Sequence, residues 1–198
     1  MSFRKFKHDL YISFAGFMMK FLGAPSYMLF AGEGSARILC QHMVHSDLKR
    51  ILVVTDKPLV ELGIVANVLQ GFAGSNVQTF IYDDVLPDPT FKIVDEGLKV
   101  YQDNNCDSVL AIGGGSSMDA AKIIAMAVTH PGDPRNYVGF GKAKSDIPPL
   151  YTVPTTSGTG SEATRGAVIS DTETHQKAII SGATLGPTAA CLDATLLT

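Results

Sequence analysis

"SVLAIGGGSSMDAAK" (residues 108–122) is the stretch that decides how this chain folds. A short apolar run ending at Ile112 meets three consecutive glycines and then a small-residue segment of helical character. A strand that feeds a glycine turn and then a helix is how α/β proteins hold phosphate. The helix N-terminus offers unpaired N–H groups with partial positive charge, and glycine lets a ligand come close. Here Gly113, Gly114 and Gly115 make the turn, and Ser116 or Ser117 is placed to cap the helix. Asp119 in the first turn complements the dipole but repels an anion, so it suits orienting the loop or touching a neutral part of a ligand. A plain tight turn with a serine cap remains an equal reading of the glycines alone. The G-x-G-x-x-G fingerprint is not met, because Met118 takes the third glycine position and the turn follows a third strand rather than a first.

Working outward, "ILVVTD" (51–56) is a β-branched apolar run of the kind buried on both faces. Pro58 opens a helix whose apolar face is Leu59, Leu62, Val65, Ala66 and Leu69. "VQTFIYD" (77–83) is the next strand, followed by a helix with Phe91, Val94, Leu98 and Tyr101 on one side. Strand–helix alternation repeated three times predicts a parallel sheet wound by right-handed crossovers. Residues 134–149 form a Gly- and Pro-rich connection, "LYTVP" (150–154) a further strand, 166–180 a hairpin turning near Asp171–Glu173, and "TAACLD" (188–193) a last strand.

Two more places speak for a ligand at the same edge. Asp56 stands at the carboxyl end of its strand, where open α/β sheets bind ligands. A carboxylate there can accept both hydroxyls of an adenosine ribose and would repel a 2′-phosphate, or it can simply cap the helix before Pro58. "PTTSGTGSEAT" (154–164) places Thr155, Thr156, Ser157, Thr159, Ser161 and Thr164 around two glycines, a loop suited to pyrophosphate and ribose.

Composition bounds the alternatives. Sixteen basic against nineteen acidic residues give a net charge of −3 in 198 residues, with no basic footprint for nucleic acid. Cys40, Cys106 and Cys191 are widely spaced and odd in number, which suits reduced thiols in a cytoplasmic protein rather than a disulfide framework. The apolar run from Leu10 to Met19 is too short for a bilayer, which needs roughly 20 residues, so no membrane association is expected. Phe3, Phe6, Leu10, Phe14, Phe17 and Phe21 recur at helical steps, so residues 1–22 are expected to be a helical extension that docks on the rest of the protein or a partner subunit, with a targeting segment as the alternative reading of the basic start and apolar run.

Together "VTDKPLVELG" (54–63), "PDPT" (87–90), "GGGSSMDAAK" (113–122), "PTTSGTGSEAT" (154–164) and "LDATLL" (192–197) resemble the N-terminal nucleotide-binding half of the iron-containing (group III) alcohol dehydrogenase family. The resemblance covers roughly residues 25 to 198. It implies an α/β fold, a Rossmann-like parallel sheet with flanking helices of the dehydroquinate synthase-like kind plus a β-hairpin, with residues 23–198 as the NAD-binding domain. It implies NAD-dependent, metal-assisted oxidation of a primary or secondary alcohol, with a small alcohol or aldehyde as substrate and a homo-oligomer, dimer or higher, as the assembly.

Residue by residue, the resemblance implies that Asp56 selects NAD through the adenosine ribose and that Gly113, Gly114, Gly115 and Ser116 cradle the pyrophosphate. It makes Thr155, Thr156, Thr159 and Thr164 a cofactor loop, sends Lys177 to the nicotinamide ribose and packs Leu196 on adenine. Asp88 stands where the family often has Asn, which adds a charge near the cofactor. The family's Fe2+ (sometimes Zn2+) is held by one aspartate and three histidines of a helical C-terminal domain, expected to be absent from this chain because "CLDATLLT" stops just after a strand. Asp193 matches an acid closing that strand, not the metal-binding aspartate. His42 and His45, with Asp47 nearby, suit a solvated helix face better than a ligand set. The isolated chain is therefore expected to be inactive. A non-catalytic NAD-binding module and a glycerol dehydrogenase-like relative are the alternatives.

Overall fold

The computed structural model describes residues 27–172 and 176–197; the expected helical extension over 1–22, His8, His175 and the hairpin tip lie outside the described residues. Six parallel strands form the main sheet: β1 (Met28–Ala31), β2 (Arg50–Val54), β3 (Gln78–Tyr82), β4 (Ser108–Gly113), β6 (Leu150–Pro154) and β9 (Ala189–Leu192). Their spatial order is β1-β9-β6-β4-β2-β3. The chain moves outward from β2 to β3, crosses back to β4, and then continues in the opposite direction. That reversal opens a crevice between the carboxyl ends of β2 and β4, the place where open parallel sheets seat ligands.

The sheet is parallel because helices connect its strands, and both faces are consequently apolar. Leu52, Val54, Val109 and Ala111 face one layer with α4 (Phe91–Asp103) and α5 (Gly115–Thr129). Ile51, Val53, Leu110 and Ile112 face the other with α1 (Ser35–His45), α2 (Lys57–Glu61) and α3 (Ile64–Leu69). A second, three-stranded sheet, β5 (Gly139–Phe140), β8 (Gln176–Ser181) and β7 (Gly166–Asp171), contains the expected hairpin as the antiparallel β7–β8 pair.

Three local expectations need correcting. The single helix expected from Pro58 is two, because Gly63 at φ +73° ends α2 and redirects the chain into α3. Of the expected apolar face Leu59 and Val65 are buried and Leu69 is partly so, whereas Leu62 and Ala66 face solvent and Val68 is buried in their place. The segment before Arg50 carries β1 and α1, which had no expected element; β1 is a four-residue edge strand with mostly exposed side chains, so no periodicity marked it. The connection over 134–149 contains the two-residue strand β5, held only by its parallel pairing to β8.

Candidate nucleotide site

The crevice between β2 and β4 is lined from both strands. Beyond β2, Asp56 caps α2: its Oδ1 accepts the Leu59 N–H at 3.0 Å, with Pro58 inside the first turn. Both readings of Asp56 are thus compatible with its place, since one carboxylate oxygen serves the cap and the residue also lines a cleft with Leu59, Leu62, Val85 and Leu86.

Beyond β4 the glycine turn has an internal reason for each glycine. Gly113 sits at φ +152°, and a Cβ there would lie 2.5 Å from Ser117 Oγ and 2.7 Å from its Cβ. A Cβ on Gly114 would be 3.2 Å from Thr156 Oγ1, and one on Gly115 3.3 Å from Thr159 Cγ2. The close approach that the glycines permit is therefore first of all by the chain's own helix and hydroxyl loop. The expected serine cap is not formed: α5 begins at Gly115 with an extended Gly114 as N-cap and no side-chain bond, and Ser117 packs onto Gly113 within the first turn. The leading N–H groups of α5 have no intrahelical acceptor, as in any helix, and no side chain caps them.

Two clefts meet at this helix start. One of about 520 Å³ is lined by Asp56, Gly114, Gly115, Ser116, Thr155 and Thr156. The other, about 560 Å³, is lined by Asp88, Gly115, Ser116, Asp119, Thr159, Thr164 and Lys177. Gly115 and Ser116 belong to both. Eleven of the thirteen candidate residues therefore converge on one continuous edge. The other two stand apart. Gly113 is inside the turn, and Leu196 is buried in the core layer of α1 and α3, bordering a separate cleft of about 270 Å³ beside Asn67 and Asp193.

The charge added by Asp88 has a partner. Asp88 adopts φ +56°, a conformation that Asp and Asn tolerate better than other side chains, and its carboxylate accepts from Lys177 Nζ at 2.7 Å. The pair spans the larger cleft's rim, joining the 87–90 loop to β8. Thr155 N donates to Gly113 O at 3.0 Å, which fixes the start of the hydroxyl loop on the turn. Thr156 Oγ1 is shielded from solvent without a hydrogen-bond partner in the protein.

One residue of this region had no assigned role. Lys122, fully buried on α5, donates to Ser161 Oγ at 3.1 Å, Thr164 Oγ1 at 2.9 Å and Gly166 O at 2.8 Å. Burial pulls its ammonium down to about 8, against the opposing pull of Asp119. Asp119 lies 3.7 Å away, and its carboxylate accepts from Ser161 Oγ and from Val168 N at 2.9 Å. Asp119 therefore orients the loop and hairpin, one of the two roles expected of it. The signal for Lys122 was present: a lone cation in a helix whose neighbours Met118, Ala120, Ala121 and Ile123 to Met126 are all apolar has no solvated face to occupy.

Elsewhere the titratable groups are structural. His42 and His45 lie in the last turn of α1, where His42 stacks near Phe30 and His45 Nδ1 contacts Gln41 O. Among the described residues no group of three or more His, Cys, Asp or Glu is placed to hold a metal ion. Asp193 closes β9 by capping the following turn through Thr195. Cys40, Cys106 and Cys191 are free and buried, and burial pushes their thiols up to about 12, 11 and 11. No helix among the described residues is long and apolar enough to cross a membrane.

Comparison with known proteins gives a consistent result. The iron-containing alcohol dehydrogenase family matches residues 26–194. The chain is similar to the choline dehydrogenase of Bacillus subtilis (strain 168), with 36% identity over 149 residues, 74% of this chain and 37% of that protein. Its structure is similar to the alcohol dehydrogenase from Oenococcus oeni, with a TM-score of 0.83 and 32% identity, covering 88% of this chain and 47% of that one. Sulfoacetaldehyde reductase from Bifidobacterium kashiwanohense, solved in complex with NAD+, gives a TM-score of 0.79 and 29% identity over 87% of this chain and 46% of its own. The chain spans less than half the length of each of these relatives.

Proposed function

This chain belongs to the iron-containing alcohol dehydrogenase family, and from that premise we propose that residues 23–198 form the NAD-binding domain of an alcohol dehydrogenase. The observation that carries the reading is the meeting of two clefts at Gly115 and Ser116, on the uncapped start of α5 and at the carboxyl edge of β2 and β4. A dinucleotide has two nucleosides joined by a diphosphate, and this edge offers two cavities joined by an anion-binding helix end.

In this reading the leading N–H groups of α5 and the Thr156 hydroxyl take the diphosphate, which supplies the partner that Thr156 Oγ1 lacks. The Asp56 oxygen not used by the cap accepts from the adenosine ribose and repels a 2′-phosphate. Lys177, steadied by Asp88, reaches the nicotinamide ribose. Bound NAD supplies the hydride acceptor for an alcohol or the donor for an aldehyde. Iron does not fit the described residues, which hold no suitable ligand group, so metal-assisted chemistry is not assigned to them. The substrate is a small alcohol or aldehyde. The relatives' names differ on which one, and among the described residues Phe140, Val168 and Ile179 give the larger cleft its large apolar walls. The protein works as a cytoplasmic homo-oligomer, a reading supported by its buried thiols and by the exposed Met28 and Leu29 of edge strand β1.

Calorimetric titration tests the assignment. NAD binds, and NADP binds more weakly. Absence of NAD binding at millimolar concentration removes the nucleotide reading, and equal or tighter NADP binding removes the role of Asp56.

A further inference from the structure

Every donor of Lys122 is spent inside the protein. An ammonium has three N–H bonds, and Ser161 Oγ, Thr164 Oγ1 and Gly166 O take all three. These partners sit at successive points from the second half of the hydroxyl loop into the start of β7. The Ser161 hydroxyl in turn donates a hydrogen bond to Asp119, whose second oxygen accepts from Val168 N of β7. Two residues one helical turn apart on α5 thus tie down four points between Ser161 and Val168. The same helix presents Gly115, against which Thr159 packs, two residues before the first tied point.

We propose that Lys122, paired with Asp119, is a positioning residue of the nucleotide site: in its charged form it holds the 159–166 segment on α5, and its charge favours an anionic ligand at the helix start. The inference rests on the NAD reading above. A neutral amine has two donors, and the remaining lone pair would face a carbonyl that has no proton and hydroxyls whose protons are directed elsewhere, so deprotonation releases at least one loop contact. It also removes the positive charge that faces Asp119.

The groups acting on the ammonium are Asp119 on its own helix and Glu162 in the loop, both favouring the charged form, while burial opposes them more strongly. Helix α4 carries Lys92, Asp95, Glu96, Lys99 and Asp103, none of which acts on Lys122. Strands β4 and β6 bring no charged side chain to it. With its ammonium drawn down to about 8, Lys122 changes charge inside an accessible pH range.

The test is NAD titration of the full chain across pH 6.5 to 9.5, beside Lys122→Met and Asp119→Asn, with circular dichroism to confirm folding. The expected result is a wild-type affinity that holds near neutral pH and falls on the order of three- to tenfold by pH 9.5. Lys122→Met binds NAD weakly at every pH, with a flat profile. Asp119→Asn removes a charge that favours the ammonium, so its fall begins at lower pH. This second variant decides the matter if Lys122→Met does not fold. Parallel wild-type and Lys122→Met profiles, or an Asp119→Asn profile that is not displaced to lower pH, overturn the proposal and leave the pair as a structural staple. A wild-type chain that binds NAD with no pH dependence overturns the proposal alone. A chain that binds no NAD at any pH overturns the nucleotide reading and the proposal with it.

Discussion

Replacing Gly113 by alanine separates what the glycine turn does for the fold from what it does for a ligand. At φ +152° an alanine is strained by about 1–3 kcal/mol. Its Cβ would also lie 2.5 Å from Ser117 Oγ and 2.7 Å from Ser117 Cβ, and Ser117 is 1% exposed with no room to withdraw. Overpacking of that kind costs about 1–3 kcal/mol more. The sum, about 2–6 kcal/mol, is a large share of the roughly 5–15 kcal/mol that holds a typical domain together. The two contributions can be measured apart by urea denaturation of Gly113→Ala, Ser117→Gly and the double variant. Ser117→Gly removes the overlapping atoms and leaves the strained backbone, so the coupling between the sites is expected to be about 1–3 kcal/mol in favour of the double variant. Coupling below about 0.5 kcal/mol refutes the steric argument. Gly115→Ala is the contrast: its Cβ meets Thr159 Cγ2 at 3.3 Å, tight but without a positive φ, and alanine is readily accommodated at the first helical position. Its stability should therefore stay near wild type while NAD affinity falls, because Thr159 is pushed from the helix start.

Three further outcomes are expected. The Asp88–Lys177 pair is about two-thirds exposed on both sides, so Asp88→Asn, which keeps the left-handed backbone, should lose less than about 1 kcal/mol in urea denaturation. Asp88→Ala should lose about 1–2 kcal/mol more, and equal losses would show that the backbone at φ +56° does not matter. Asp56→Asn preserves the cap on Leu59 and should keep stability within about 0.5 kcal/mol, whereas Asp56→Ala costs about 0.5–2 kcal/mol. Both should narrow the preference for NAD over NADP, read by calorimetry, and an unchanged preference would confine Asp56 to capping. Lys122 also sets a pH signature on stability: its ammonium titrates at about 8 in the fold and near 10.5 when unfolded. Between those values the unfolded chain holds a proton that the folded chain has given up, so this group makes the fold more stable as pH rises from 8 toward 10.5. The rise should appear as a difference between wild type and Lys122→Met in denaturation midpoints, and identical pH trends would count against a buried, titrating lysine.

The strands β2, β4, β6 and β9 were legible because burial on both faces leaves an apolar run that a short window can recognise, and the edge strand β3 because its β-branched and aromatic residues mark it even though it is only half buried. β1 was not legible, since an edge strand of four largely exposed residues needs its partner β9 to exist at all. Helix α2 was located by Pro58 and Asp56, yet its end was misjudged because the apolar spacing of Leu59, Leu62, Val65 and Ala66 continues through Gly63 as though the axis did too. At the site, glycines and hydroxyls pointed to the carboxyl edge of β2 and β4, where the structure brings them together, but for an incomplete reason. Their nearest neighbours are Ser117, Thr156 and Thr159, so the turn is glycine-rich before any ligand arrives.

That order of cause has a consequence for how the site works. A turn shaped only by its ligand would be free to open without it. This one is closed by Ser117 on one side and by Thr156 and Thr159 on the other, with Thr155 N bonded to Gly113 O at 3.0 Å. The loop beyond it is tied to the same helix through Lys122 and Asp119. The helix start is therefore assembled and oriented in the free chain, and binding energy need not be spent on ordering it. Among the described residues, the Asp88–Lys177 contact is left to surface charge, since its two side chains are exposed and their attraction is weak. Adjustment to a ligand should therefore concentrate at that rim, on the side of the larger cleft, while the helix start and the Asp56 edge behave as fixed parts.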